Sequence, residues 1–495
     1  MTFPDKAIVC ACEDVSVHDL DDAIAHGFGD IESLKRYTGL GTGPCQGKSC
    51  LTGATRICAQ RARLPREALL PFRSRPPVSP TAMATYAGAP LEALPLPFAV
   101  PERRRAPHPL RSAASLPDRA DVVVIGGGIM GLALAWNLAG AGVERVLVLE
   151  RGYLCEGASG RNGGGVRAQW TTPTLIELAK ESIEFMGRFA QELGINVWLR
   201  KGGYLFLAHD AETASRLEQS AELQRKHGLS TRIISPGEAG ELVPELDTRR
   251  FVAASWHPDD GVVFPWPFLW GYADGARRLG AQVETFTSVT GLEVRGGRVR
   301  AVQTDRGRVA ADRVVIASGA WSPAVARLAG VELPNKPQRH EIVSSEPMKP
   351  FLGPLVSMLG TGLYFSQSMR GEIVGGMGDP DEPAGLNQTS SLRFMTRYSR
   401  ALTELIPRCG SVKLLRQWAG CYDVTPDHSP ILGETPGVAG LLQMSGFVGH
   451  GFMMAPAVAR RMAAWMGGAP DDLFERFSLS RFAEGRLEKE TFIIG

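Results

Sequence analysis

Charge imbalance, uninterrupted apolar stretches and cysteine are all scarce in this 495-residue chain. Its 54 basic and 52 acidic side chains leave a formal charge of +2, far from the basic footprint that nucleic-acid binding requires. Nucleic acid is thereby excluded as a partner. Eight cysteines over this length cannot form the dense scaffold of a small secreted protein and point to a reducing compartment. The opening Met-Thr-Phe-Pro-Asp-Lys has neither the basic nor the apolar region of a signal peptide. Asp121 to Gly142 is apolar enough to suggest a membrane span, but its glycines fall at turn spacing and its pattern changes abruptly from strand to helix. That reads as a buried βα unit. The expectation is a soluble, cytoplasmic chain with no transmembrane segment, with peripheral contact to a membrane through a partner left open. No internal repeat is present, and the length predicts two or three domains.

Four of the cysteines are grouped, as Cys10-x-Cys12 and Cys45-Gln-Gly-Lys-Ser-Cys50. Zinc sites usually take pairs separated by two to four residues, so the tight first pair suits a single zinc poorly. A [2Fe–2S] cluster needs four thiolates, two per iron, which a close pair at each end supplies. Ser16-Val-His-Asp19 has the pattern of a capping box and opens a short amphipathic helix, and Ile31 to Thr38 reads as a second helix. Gly39 to Pro44 is then a loop whose backbone N–H groups can point at cluster sulfurs, and Cys50 opens a further helix whose dipole favours a thiolate. The alternatives are one zinc ion or four unrelated buried thiols. Cys58, Cys155, Cys409 and Cys421 match no ligand spacing and read as core or surface thiols. The motif CACEDV…LKRYTGLGTGPCQGKSC resembles the bacterioferritin-associated-ferredoxin type of [2Fe–2S] domain found in opine oxidases and hydrogen cyanide synthases. Relatives of that domain in sarcosine oxidase keep the fold without the cluster, whereas all four cysteines stand here.

Three segments follow from composition: residues 1–62 as a small helical [2Fe–2S] domain, 63–118 as a linker, and 119–495 as the main body. The linker is proline-rich (Arg-Pro-Pro-Val-Ser-Pro80, Leu-Pro-Leu-Pro97) and reads as a semi-rigid extended tether. Its run Pro101-Glu-Arg-Arg-Arg105 reads as a solvated stretch, with docking on an acidic surface as the alternative. The main body alternates strands and helices: a strand at Gly202–Ala208, helices at Ala211–His227 and Leu269–Leu279, then strands at Gln282–Thr287, Val289–Arg295, Arg298–Thr304 and Val314–Ala317. Later strands near His340–Glu346, Leu363–Gln367 and Glu372–Gly376 have little helix between them. The fold class is α/β with α+β: a Rossmann-like nucleotide domain (about 119–200, 280–335 and 415–470) carrying an inserted, mainly antiparallel substrate lobe (about 201–279 and 336–414).

Gly126-x-Gly128-x-x-Gly131 follows four β-branched residues and precedes an apolar helix, and Val146-Leu-Val-Leu149-Glu150 comes after it. The glycines serve a tight turn, approach to a pyrophosphate and helix–strand packing. Glu150 stands where an acid accepts from ribose hydroxyls and disfavours a 2′-phosphate. A second glycine-rich loop (Gly157 to Gly165), Ala317-Ser-Gly-Ala-Trp321 and Gly446-Phe-Val-Gly-His-Gly-Phe452 suit a long FAD better than a nicotinamide nucleotide. No second strand–GxGxxG–helix exists, since Gly360-x-Gly362 and Gly376-x-Gly378 lack the flanking elements.

VVVIGGGIMG, ASGRNGGGVRAQW, GYLFLA, WAGCYDVTPDHSPILG and GFVGHGFMMAPA resemble the D-amino-acid oxidase and sarcosine oxidase family of FAD enzymes, nearest to its opine, hydroxyproline and cyanide-forming branch. The resemblance spans Asp121 to Met466. It implies FAD bound through Gly126, Gly128, Ile129, Met130, Glu150 and Arg151, the loop Ser159, Gly160, Arg161, Asn162, Gly163, Gly164, the Val289 backbone, Ser318, Gly319 and Trp321, and the turn Gly449, His450, Gly451, Phe452. It also implies oxidation of the C–N bond of an amino acid or N-substituted amino acid. Arg167 stands where related sequences hold the substrate carboxylate, and a guanidinium fork suits that task; a phosphate contact or a structural ion pair is its alternative. His450, Arg339 and Tyr364 complete the candidate catalytic set, with His340 and Gln367 beside them. Met453 replaces a lysine, Gly420 a flavin-linking cysteine, and the Ser-Gly-Arg-Asn-Gly-Gly loop lacks the histidine that carries FMN in heteromeric relatives. FAD is therefore expected to be noncovalent, with electrons passing through the [2Fe–2S] cluster to an acceptor other than NAD. Because this branch works as heteromers, a second flavoprotein subunit is expected as partner. A non-catalytic electron-transfer subunit is the alternative function.

Overall fold

The computed structural model of the chain describes residues 6–72, 74–100, 108–112 and 114–491; the Pro101–Arg105 run lies outside them. The centre of the main body is an eight-stranded sheet. Arg119–Ile125 runs parallel to Val146–Leu149 on one side and to Gly307–Ile316 on the other. Period-two alternation sends its side chains into two cores. Val122 and Val124 face helices Ile129–Gly140, Pro173–Leu193, Pro265–Arg278 and Gly451–Met466, while Val123 and Ile125 pack with Leu292, Val299 and Val309. Both faces are covered, so a continuous apolar run is what this strand needs.

The second lobe is a nine-stranded sheet, antiparallel except where Leu355–Met358 runs parallel to Tyr204–Ala208. Alternation again separates its faces: Leu205, Leu207 and Val343 meet Phe394 and Leu402 of the helix Leu392–Leu405. Tyr204, His340, Tyr364 and Tyr422 line a cavity on the opposite side. Two boundaries differ from the sequence reading. Pro265–Arg278, counted with the substrate lobe, packs into the helical layer of the nucleotide domain through Phe268 and Tyr272. Lys413–Val424, split at residue 415 by the reading, pairs along its length with Lys336–Pro347 inside the nine-stranded sheet. Hydrophobic pattern reports that a segment is half-buried, not which layer it joins.

At the other end, a hairpin (Ile8–Cys10 with Val15–Ser16) precedes helices Val17–Ala25, Ile31–Thr38 and Leu51–Arg61. The capping box is present: Asp19 N–H donates to Ser16 Oγ at 3.3 Å and Ser16 N–H to Asp19 Oδ2 at 2.7 Å. The bundle's core of Val17, Leu20, Leu34 and Ile57 continues onto Trp270 of the main body. Arg36 crosses the same contact, donating to Tyr153 Oη at 2.8 Å and lying 5.1 Å from the Trp266 ring. Among the described residues no helix is long and apolar enough to cross a membrane.

Part of the proline-rich stretch, read as a semi-rigid tether, docks on the substrate-lobe sheet. Thr81–Ala82 adds a strand to the edge of the nine-stranded sheet by pairing with Lys413 and Leu414. Met83, at 0% exposure, opens a short helix seated in the lobe's core with Tyr398 and Leu402. Short helical elements at Arg66–Ala68, Met83–Ala87 and Leu91–Ala93 interrupt the extended backbone expected from its prolines, and the buried Met83 pins the segment. Met83→Ala should therefore lower unfolding stability by about 2–5 kcal/mol, as deletion of a buried side chain does. Urea unfolding of the holoprotein measures this, and wild-type stability in the variant would mean that the segment does not dock.

Candidate active site

A cavity of about 470 Å³ is lined by residues of both the eight-stranded sheet and the nine-stranded lobe. Glycine keeps it open. Gly126 has φ +120°, and a Cβ there would stand 2.4 Å from Ala317 O; a Cβ on Gly131 would stand 2.0 Å from Gly126 O. The turn can thus be tight and the helix Ile129–Gly140 can start directly over it, with its N-terminus at the cavity wall. Ser159 Oγ accepts from Ile129 N–H at 3.0 Å, tying the second glycine loop to this helix. Glu150 accepts from the N–H groups of Gly127 and Gly152, each at 2.8 Å, and burial raises its pKa. Arg151 lies 4.4 Å from the Trp321 ring, closing that end.

The second loop is anchored to the sheet lobe: Trp418 Nε1 donates to Arg161 O at 2.8 Å, and Arg161 donates to Ala419 O at 3.0 Å. Gly164 (φ +79°) leaves no room for a side chain, since its Cβ would meet Val263 O at 2.1 Å. Asn162 and Gly163, then Val289, Ser318 and Gly319, continue the wall. Gly449, His450, Gly451 and Phe452 close the far end at the start of the helix Gly451–Met466. A Cβ at Gly449 would lie 2.5 Å from the Tyr422 ring. A long slot with a helix N-terminus at each end, a buried acid and glycine-lined walls fits a dinucleotide. Of the cofactor residues read from sequence, Gly160 alone is missing from the wall. Its Cβ would strike Cys155 O and the Trp266 ring at 2.3 and 2.5 Å, so it is a packing glycine.

Arg167 sits at the opposite end from Glu150, buried to 2% exposure. Its guanidinium lies 3.6 Å from the Trp170 ring and 5.2 Å from that of Phe206, and donates to Gln169 O. Burial lowers its pKa, and Tyr204, Glu490 and Asp260 nearby oppose that shift. On the lobe side of the same cavity, His340 stacks on Tyr422 (4.6 Å, 11°) and Tyr364 (5.6 Å, 15°), with Nε2 3.0 Å from Tyr364 Oη. Burial pushes His340 down to about 4, and burial with the Arg167 charge pushes His450 down to about 3. Both imidazoles are neutral at pH 7. His450 packs 4.6 Å from Trp170, and its Nε2 is buried without a hydrogen-bond partner among the described residues.

Arg339 does not belong to this set. Its guanidinium is 2.6 Å from Glu382 and 3.8 Å from Glu341 and donates to Thr389 O, on the far side of its strand from the cavity. Adjacent residues of a strand point to opposite faces, so His340 and Arg339 cannot both look inward. Gln367 is likewise spent, donating to Met348, Lys349 and Gly371 carbonyls. Tyr204 and Tyr422 were not singled out from sequence. The signal for Tyr422 was its spacing of two from Gly420, which puts both on the cavity face.

The four grouped cysteines come together in two neighbouring pairs. Burial and the adjacent Cys10 thiol push Cys50 up to about 12; Cys12 and Cys45 are hydrogen-bonded to each other. Cys12 is exposed and Cys10 buried. Among the described residues no three Cys, His, Asp or Glu side chains are gathered as a preformed metal site. The remaining cysteines, Cys58, Cys155, Cys409 and Cys421, are all buried.

A family model described as FAD dependent oxidoreductase matches residues 121–465, and one described as sarcosine oxidase A3 domain matches residues 4–89. Sarcosine oxidase subunit beta of Rhodobacter capsulatus is 31% identical over 382 residues, covering 76% of this chain and 92% of that protein. Mitochondrial dimethylglycine dehydrogenase of Rattus norvegicus is 27% identical, covering 72% of this chain and 44% of that one. Among solved structures, L-proline dehydrogenase from P. horikoshii superposes with a TM-score of 0.72 at 34% identity, covering 75% of this chain and 100% of its own. Glycine oxidase from Geobacillus kaustophilus gives 0.66 at 26%, covering 77% and 100%. The matched model runs from the first strand under the cavity to the helix that closes its far end, and the chain belongs to the family of FAD-dependent oxidoreductases.

Proposed function

We propose that this chain oxidises the C–N bond of an amino acid or N-substituted amino acid, with FAD as hydride acceptor. In this reading electrons leave through a [2Fe–2S] cluster on Cys10, Cys12, Cys45 and Cys50. The observation that carries the reading is the buried Arg167 at one end of a cavity whose other end suits a dinucleotide. FAD, held by Gly126, Gly128, Glu150, Ser159, Ser318 and the Gly449–Phe452 turn, would supply the two-electron acceptor. Arg167 binds the substrate carboxylate through its planar fork, in a setting where water does not compete. Trp170 and Phe206 hold the guanidinium plane. His450, weakly basic, accepts a hydrogen bond from the amine without retaining its proton, so the substrate enters with an uncharged amine or sheds the proton to solvent first. Tyr364 and Tyr422, with His340 between them, wall the site with neutral groups and orient the reacting carbon. The sarcosine oxidase, dimethylglycine dehydrogenase and L-proline dehydrogenase names among the relatives support this substrate class.

The cysteine loop suits the cluster in donor chemistry: two adjacent thiol pairs match two irons with two thiolates each. Cβ atoms at Gly41 and Gly47 would strike Phe72, and one at Gly43 would strike Cys12, so glycine lets the loop close around the thiols. Exposed Cys12 offers an edge to an acceptor. The β-subunit names of relatives support a heteromeric assembly, in which this reading puts a second flavoprotein subunit, and the thiol set fits a reducing, cytoplasmic setting.

Losing a charge-assisted pair in a dry site is worth about 2–5 kcal/mol, so Arg167→Met should slow flavin reduction on the order of 30- to 4,000-fold. Arg167→Lys, which keeps charge without the fork, should lie between. FAD content should be unaffected, and stopped-flow reduction at the wild-type rate in Arg167→Met would place the carboxylate elsewhere. Anaerobically purified protein should contain two irons and two labile sulfides per chain, and Cys12→Ser should abolish the visible cluster absorption while FAD stays bound. One zinc per chain without iron refutes the cluster.

A further inference from the structure

The segment following the helix Arg481–Glu484 returns across the substrate end of the molecule and fastens the loop that carries Arg167. That loop runs from Gly165–Val166 to Thr172, the N-cap of the helix Pro173–Leu193. Thr172 makes no side-chain cap bond of its own, and Pro173 offers no N–H. A carboxylate from more than three hundred residues away instead binds the two threonines that lead into the helix. Glu490, at 0% exposure, accepts from Thr171 N–H at 3.0 Å, from Thr171 Oγ1 at 2.6 Å and from Thr172 Oγ1 at 3.4 Å. An anion at a helix N-terminus is favoured by the helix dipole, and more so away from water.

Glu490 is itself held firmly. Its N–H donates to Asp427 O at 3.2 Å, its carbonyl lies 3.3 Å from His428 Nδ1, and Ser429 Oγ donates to Glu488 O at 2.7 Å. Asp427 is gripped by the buried Arg481 at 2.8 and 3.0 Å. The other side of the loop is fixed by Asp260, which accepts from Ala168 N–H at 2.7 Å and Gln169 Nε2 at 3.1 Å. Between the two anchors, Trp170 donates its indole N–H to Arg167 O at 3.0 Å and lies under the guanidinium. Glu490 thus fixes Thr171, the residue next to Trp170, and with it the C-terminal end of the loop on which Arg167 rests.

We infer that Glu490 is a positioning residue for Arg167, setting the orientation of the guanidinium for a substrate carboxylate without touching the substrate. The inference rests on the carboxylate-binding role given to Arg167. It predicts a selective loss: binding of carboxylate-bearing molecules weakens, while the limiting rate of flavin reduction is kept.

The test uses the full-length holoenzyme with Glu490→Ala and Glu490→Gln, the second preserving shape and one acceptor oxygen should the first misfold. Acetate, as a bare carboxylate, is titrated by its perturbation of the flavin spectrum, and flavin reduction by the best amino-acid substrate is followed by stopped flow. Loss of a charged hydrogen-bonding anchor should weaken acetate and substrate binding about ten- to a hundredfold in Glu490→Ala, with Glu490→Gln between. The limiting reduction rate should stay within about twofold. Arg167→Met separates the two claims. If Arg167→Met abolishes acetate binding and both Glu490 variants bind it normally, the positioning role is overturned. If Arg167→Met binds acetate normally, the reading of Arg167 itself fails. A fall in the limiting rate without weaker acetate binding also overturns the inference, because it shows general damage to the flavin site.

Discussion

A guanidinium removed from water between two aromatic rings is costly to bury, and the substrate end of this molecule is arranged around that cost. Arg167 cannot escape by losing its proton, so the structure surrounds it with partial compensation: Gln169 O, the faces of Trp170 and Phe206, and the acids Asp260 and Glu490. None of these reproduces the planar two-oxygen match of a substrate carboxylate. Burial alone disfavours a charge on His340, while at His450 the Arg167 charge adds to burial, since a second cation beside Arg167 would raise the cost further.

The slot that leads to Arg167 exists because glycine occupies each place where two backbones meet. Gly126 against Ala317, Gly131 against Gly126 and Gly164 against Val263 leave no room for even a methyl group. These close approaches keep the turn, the second loop and the end of the central strand tight along the cavity wall. The bundle that carries the grouped cysteines rests on the same helix, Pro265–Arg278, whose Trp266 lies against the second glycine loop. The grouped thiols and the FAD-family cavity are thus packed against a shared helix.

Much of this was legible in the sequence because the chemistry is local. The turn after Val122–Ile125, the acid at Glu150 and the Ser159–Gly164 loop are contiguous motifs, and periodicity placed the strands Val289–Arg295, Arg298–Thr304 and Leu363–Gln367 at the bounds observed. What escaped depends on contacts between distant segments. Arg339 and His340 look equally promising as letters, yet strand alternation sends one to Glu382 and the other to the cavity. Gly160 reads as part of a cofactor loop, but Trp266 fills the space beside it. Met83 docks a stretch that proline content marks as a tether, and nothing near Glu490 announces that it binds Thr171 and Thr172 ahead of the helix Pro173–Leu193.

The most direct measurement of the central claim is anaerobic titration of the oxidised holoprotein with matched pairs of amines. Each pair would be an amino acid or N-substituted amino acid and the same amine without its carboxylate, with flavin absorbance read at each addition. If buried Arg167 selects the substrate through its carboxylate, the acid of at least one pair should bleach the flavin at concentrations where its partner leaves it unchanged. Equal bleaching by both members would contradict the account, because a site indifferent to the carboxylate has no use for a charge buried at such cost.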